Sequence, residues 1–145
     1  MFSSNLDCFI YSSSCFFLYF SANLEKLLEL QRKNLQSWSN FVEENELILK
    51  HGYVNKKKGL FARKRMLLLT NTPRLIYIDP VQKIKKGEIP FDKNLSCEAR
   101  NFKIFYVHTV NRIYHLEDMQ GTALKWCETI EKAKEKYIKS EASTS

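Results

Sequence analysis

The chain has 145 residues, 44% of them apolar and 13% aromatic, which is enough to bury one compact core and not two. Twenty-three Lys and Arg against sixteen Asp and Glu leave a net charge of +7. A surplus of that size points to a phosphate-bearing partner, whether nucleic acid, an anionic membrane surface or a soluble polyphosphate.

Residues 8–20, "CFIYSSSCFFLYF", form the first apolar stretch. They are too few for the roughly 20 residues that a spanning helix needs. As a secretory signal they lack a positive n-region, because no Lys or Arg precedes Lys26 and Asp7 lies just upstream, although "FSA" is a passable cleavage site. Residues 1–22 are therefore expected to be a poorly ordered tail with no assigned role, with secretion kept as the weaker reading. The four cysteines, Cys8, Cys15, Cys97 and Cys127, form no C-x-x-C pair. Their spacing supports neither a zinc site nor a disulfide framework, and they read as free thiols of a reducing compartment.

From Asn23 to Val42, Leu24, Leu27, Leu28, Leu35, Trp38, Phe41 and Val42 recur largely at steps of three and four between charged residues, the period of an amphipathic helix. This helix is taken as an N-terminal extension, residues 23–45, whose leucines pack on the domain or bind a partner. From residue 46 the pattern changes to short runs rich in branched and aromatic residues: "LILKHGYV", "LFARKRMLLLT", "RLIYID", "KIFYVHT" and "RIYHLED". Turn-forming pieces separate them, which predicts about seven antiparallel strands joined as hairpins. Residues 121–137, "GTALKWCETIEKAKEKY", return to a helical period with Ala123, Trp126, Cys127, Ile130, Ala133 and Tyr137 on one stripe. Such a helix can plug the end of a small barrel, with Trp126 as the plug. The expected fold is mainly β with α: a seven-stranded antiparallel barrel or sandwich over residues 46–139, capped by a C-terminal helix, with residues 140–145 disordered.

The segment "NKKKGLFARKRMLLLT", residues 55–70, concentrates the positive charge. Side chains alternate along a strand, so Arg63 and Arg65 share a face with Leu67 and Leu69. A cation on the core-facing side is tolerable only where the strand has reached an open, solvated end of the barrel. Lys56, Lys57 and Lys58 lie across a short connection that Gly59 allows to bend, and they can turn toward the same bowl. Arginine forks and lysine point charges together suit a small ligand with several phosphates. A plain solvated charged hairpin remains the alternative on spacing alone.

The string "KKKGLFARKRMLLLT", followed by "RLIYIDP", "KKGEIP", "NFKIFYVHT" and the late helix with Trp126, resembles a pleckstrin homology (PH) domain. Within that family it is similar to the type carried at the C-terminus of phosphoinositide-regulated serine/threonine kinases. The resemblance implies that Lys56, Arg63 and Arg65 hold the phosphates of phosphatidylinositol 3,4,5-trisphosphate or 3,4-bisphosphate, or of soluble inositol polyphosphates. It implies that Lys86 and Arg112 complete the pocket, with Lys57 and Lys58 as looser matches. It implies a cytoplasmic module recruited to the inner face of the plasma membrane, and the same barrel could instead pack on a kinase domain as an interaction or autoinhibitory module. The chain lacks a Gly-rich nucleotide loop, H-R-D and D-F-G, so no phosphoryl transfer is expected of it. His51, His108 and His115 have no ligand-spaced partners, so neither metal nor cofactor is expected. Nucleic acid is set aside because the basic strand face lacks interleaved exposed aromatics.

Overall fold

A computed structural model describes residues 13–144. They fall into two compact units that part between Asn40 and Phe41. In the first, helix α1 spans Ser13–Asn34, so it begins ten residues before the expected start at Asn23 and takes in the end of the segment expected to be a tail. No Pro or Gly interrupts residues 13–34, which is why the helix can run through. Asn34 is its last residue, and Ser37, Ser39 and Asn40 follow: the Leu35 carbonyl accepts from the amides of both Trp38 and Ser39, and the Ser39 hydroxyl donates to the Gln36 carbonyl at 2.9 Å, local bonds that compete with a continued helical ladder. Leu24, Leu27 and Leu30 are exposed on this helix. The remainder of the expected tail, residues 1–12, lies outside the described residues.

The second unit is one antiparallel sheet of seven strands with a helix on it. The strands are β1 (Ile48–Lys58), β2 (Phe61–Thr70), β3 (Leu75–Asp79), β4 (Ile84–Ile89), β5 (Ser96–Ala99), β6 (Ile104–His108) and β7 (Ile113–Asp118). Their order across the sheet is β4-β3-β2-β1-β7-β6-β5. Strand β1 joins the halves, pairing with β2 along its length and with β7 over Val54–Lys57. The two strands least visible in the sequence, β4 and β5, are the two edges. Edge strands are kept short and charged, so their apolar alternation is weak.

Inward residues of both halves meet in a single core. Val54, Leu67, Leu69, Leu75, Phe105 and Leu116 come from the sheet, and Ala123, Trp126, Ile130 and Ala133 from helix α2 (Ala123–Thr144). Trp126 is fully buried, stacks on Phe105 with ring centroids 5.9 Å apart, and meets Gly52, where an added Cβ would lie 3.3 Å from its ring. The helix starts where its entry is fixed: buried Asp118 accepts from the Thr122 amide at 2.6 Å and from the Thr122 hydroxyl, holding the cap residue, while the first helical amide, of Ala123, donates to the Phe102 carbonyl at 3.0 Å. At the other end α2 continues to Thr144, so residues 140–144 are helical where disorder was expected. Hydroxyls of Ser140, Ser143 and Thr144 donate back to carbonyls of the turn before them, and Tyr137 bonds Glu141 at 2.6 Å.

Candidate functional site

The basic stretch is a tight hairpin with the short connection expected of it. Lys56, Lys57 and Lys58 belong to β1, the turn is only Gly59 and Leu60, and β2 begins at Phe61. Gly59 has φ +61°, a left-handed conformation that glycine adopts without penalty. Because the lysines are in a strand and not a loop, they must alternate. Lys56 and Lys58 face inward, and Lys57 lines a separate shallow cleft with Tyr106, His115 and Glu117. The expectation that all three lysines reach one bowl is corrected at Lys57.

The bowl is about 290 Å³ and is lined by Lys56, Lys58, Phe61, Arg63, Arg65, Tyr77 and Lys86. Four strands contribute, and each does so where its inward face runs past the end of the core. On β2 the exposed residues Phe61 to Lys64 give way at Arg65 to a wholly buried run, so Arg63 sits in solvent and Arg65 at the floor. Lys56 pairs directly with Arg63 in the β1–β2 register, which brings like charges together. Lys64 points to the opposite face, its ammonium 4.6 Å from the Tyr53 ring centre, in agreement with the alternation read from the sequence. Lys86 enters from β4 at the irregularity in the β3–β4 register and is steadied by Gln82 at 3.0 Å. Arg112 lies in the β6–β7 turn. Its guanidinium is 4.4 Å from the Tyr114 ring centre, and Lys56 approaches the same ring at 5.6 Å. Arg112 thus stands beside the bowl through a shared aromatic, not in its lining.

No acidic residue is among those lining the bowl. Arg65, 8% exposed, donates to Asp79 at 3.2 Å and to the Lys64 carbonyl at 2.9 Å. Asp79 also receives the amides of Val81 and Gln82. The Gln82 amide, with that of Val81 and the Arg65 guanidinium, holds its carboxyl below the usual range despite some desolvation. Among the described residues no carboxylate pairs with Lys56, and burial, followed by Arg112, Lys58 and Arg65, pushes its ammonium below the ordinary lysine value. A cation held in that way gains most from an arriving anion.

Tyr77, Tyr114 and Phe61 escaped the sequence reading. Tyr77 carries the Lys56 ammonium 4.8 Å from its ring centre. Its place depends on Gly87, where a Cβ would stand 2.5 Å from the Tyr77 hydroxyl. The alternation of "LIYID" was the available signal, since it puts Tyr77 on the inward face with Leu75. Leu60 and Phe61, 100% and 75% exposed, cap the hairpin beside the cations.

The sequence and the fold have relatives among known proteins. A family model described as "PH domain" matches residues 36–139. The chain is similar to "3-phosphoinositide-dependent protein kinase 1" of Homo sapiens, 54% identical over 114 residues, which is 79% of this chain and 20% of that protein. The protein of the same name in Caenorhabditis elegans is 42% identical over 117 residues, 81% of this chain and 18% of that protein. The chain therefore spans about a fifth of the length of these relatives. Among solved structures, the C-terminal PH domain of pleckstrin in complex with D-myo-Ins(1,2,3,4,5)P5 aligns with a TM-score of 0.54 at 20% identity, covering 60% of this chain and 98% of that one.

Proposed function

Because this chain belongs to the PH domain family, we propose that its basic bowl binds the headgroup of 3-phosphorylated phosphoinositides, and soluble inositol polyphosphates of the same charge. The supporting observation is the convergence of Lys56, Lys58, Arg63, Arg65 and Lys86 on one bowl whose lining holds no acid. A cavity of about 290 Å³ is at the small end for ligand clefts and suits a headgroup rather than an extended polymer. The two arginines supply bidentate forks, and the lysines supply point charges.

The PH domain itself is non-catalytic, and these 145 residues contain no kinase domain. No described helix is long and apolar enough to cross a membrane. Membrane contact is peripheral in this reading. The bowl takes the headgroup, Leu60 and Phe61 face the bilayer beside it, and outward lysines add attraction worth about 1 kcal/mol each near an anionic leaflet. The leaflet is the inner face of the plasma membrane. Joined to a serine/threonine kinase domain, as the relatives' names suggest, the module concentrates that enzyme on the surface that carries its substrates.

The reading is tested by following backbone amide resonances while titrating inositol 1,3,4,5-tetrakisphosphate. The amides of Lys56, Arg63, Arg65 and Lys86 shift together and saturably. Shifts confined to another face of the sheet would place the anion elsewhere.

A further inference from the structure

The sequence spacing paired none of the cysteines, but the fold brings two of them together. Cys97 is on edge strand β5 and Cys127 is in the first turns of α2, thirty residues on, and both are free thiols. Their sulfurs stand 2.6 Å apart. A disulfide bond is about 2.05 Å long, so the pair needs only a small movement to bond. Cys127 belongs to the core cluster, and Cys97, partly buried on the edge strand, packs against it, so the pair lies at the sheet edge, where a molecule as small as peroxide needs only a local opening to reach it. Around them, the Cys97 amide donates to Glu131 at 3.1 Å, and Lys134 pairs with Glu131 at 2.9 Å while donating to the Leu95 carbonyl.

We propose that Cys97 and Cys127 are a reversible oxidation site, at which a peroxide closes a disulfide that staples helix α2 to the edge strand β5. The S–H···S contact raises the Cys97 thiol and lowers that of Cys127, so the first thiolate forms on the helix cysteine. That thiolate attacks one peroxide oxygen. The O–O bond breaks, Cys127 becomes a sulfenic acid, and the departing hydroxide takes the proton of Cys97. The Cys97 thiolate then attacks the Cys127 sulfur. The S–S bond forms as the S–O bond breaks, and the second hydroxide takes up the proton first lost from Cys127. Two thiols and one hydrogen peroxide give one disulfide and two waters.

The consequence is mechanical. Strand β5 is bonded on one side only, to β6, and α2 covers it. A covalent link there closes a loop of about thirty residues and holds the helix down in every partly opened state. The bowl is built from β1 to β4 and is not part of the linked elements.

The test uses the full 145-residue chain, treated with hydrogen peroxide, alkylated without reduction, digested with trypsin and mapped by mass spectrometry. Peptides 94–100, "NLSCEAR", and 126–132, "WCETIEK", appear joined, and they separate on treatment with dithiothreitol. The oxidised protein melts about 5 °C or more above the reduced one. Cys97→Ser, at the half-buried position, and Cys127→Ser each abolish both the joined peptide and the peroxide-dependent rise. The proposal is overturned if both cysteines remain separately alkylated or over-oxidised, if either links to Cys8 or Cys15 instead, or if the joined pair leaves the melting temperature unchanged.

Discussion

Replacing Arg65 by alanine removes the one cation of the bowl that is both buried and paired, so it perturbs ligand and fold at once. Arg65 is 8% exposed, and its guanidinium already holds the Lys64 carbonyl and Asp79 at 2.9 and 3.2 Å. It is therefore fixed in place before any phosphate arrives, and little side-chain entropy remains to be lost on binding. A charge-assisted, pre-set contact of this kind is worth about 1.5–3 kcal/mol, which is roughly a 10- to 150-fold loss of affinity. The truncation also leaves the Asp79 carboxylate without its cation beside the incoming phosphates. Asp79 keeps the amides of Val81 and Gln82, so the fold survives with a thermal midpoint lower by about 5 °C. Arg63→Ala separates the two effects. Arg63 is exposed at the same inward face of β2 and lines the same bowl, so it loses comparable affinity while the midpoint stays within about 2 °C. Adding Asp79→Asn to Arg65→Ala restores part of the affinity by removing the uncompensated charge. Calorimetric titration with inositol 1,3,4,5-tetrakisphosphate measures all three variants. An unchanged dissociation constant in folded Arg65→Ala, or an Arg63→Ala that loses stability and no affinity, would refute this account of β2.

Lys57→Ala and Lys64→Ala remove charges that point away from the bowl. Each leaves soluble headgroup affinity within about twofold and weakens binding to anionic vesicles by about 1 kcal/mol, an effect screened as salt is raised. Gly87→Ala drives a Cβ into the position of the Tyr77 ring. Headgroup affinity then falls by about 1 kcal/mol or more, and unchanged calorimetry would show that Tyr77 is not a support of Lys56. Acid stability carries a further signature. At Glu46 burial raises the carboxyl, but the hydroxyls of Thr70 and Thr72, the Glu43 amide and the charge of Arg74 outweigh it and leave the group lowered. A depressed acid stabilises the fold above its unfolded value near 4.5 and loses that contribution as the pH falls through its folded value. Glu46→Gln therefore destabilises the protein at neutral pH by about 1–3 kcal/mol and makes the acid limb of stability against pH shallower. Parallel wild-type and variant curves would contradict this.

The parts of the fold that were legible were those where one physical signal dominated. Apolar stripes at helical period placed α2, whose cap at Thr122 lies at the head of the stretch read as helical from residue 121. The alternation on β2 placed Arg63 and Arg65 together and Lys64 apart. The losses occurred where the signal was shared or local. Strand β5, "SCEA", is a short edge with little apolar pattern. Lys57 was misplaced because the lysine run read as a loop, while pairing with β2 and β7 holds it in a strand. Tyr77, Gly87 and the approach of Cys97 to Cys127 depend on contacts between strands and helix that no single stretch encodes. The boundaries of α1 moved because an apolar run with scattered serines, residues 13–22, is compatible with both tail and helix.

The most direct test of the central claim is sedimentation of the chain with phosphatidylcholine and phosphatidylserine vesicles that differ only in their minor lipid. One set carries phosphatidylinositol 3,4,5-trisphosphate or 3,4-bisphosphate, and the other carries phosphatidylinositol 4,5-bisphosphate at matched total charge. The account predicts recruitment to the 3-phosphorylated sets, competed by soluble inositol 1,3,4,5-tetrakisphosphate and lost in Arg63→Ala. Equal recruitment to the charge-matched vesicles would reduce the bowl to a diffuse basic surface. Absence of recruitment to every vesicle would contradict headgroup binding altogether and favour a module that packs on a kinase domain.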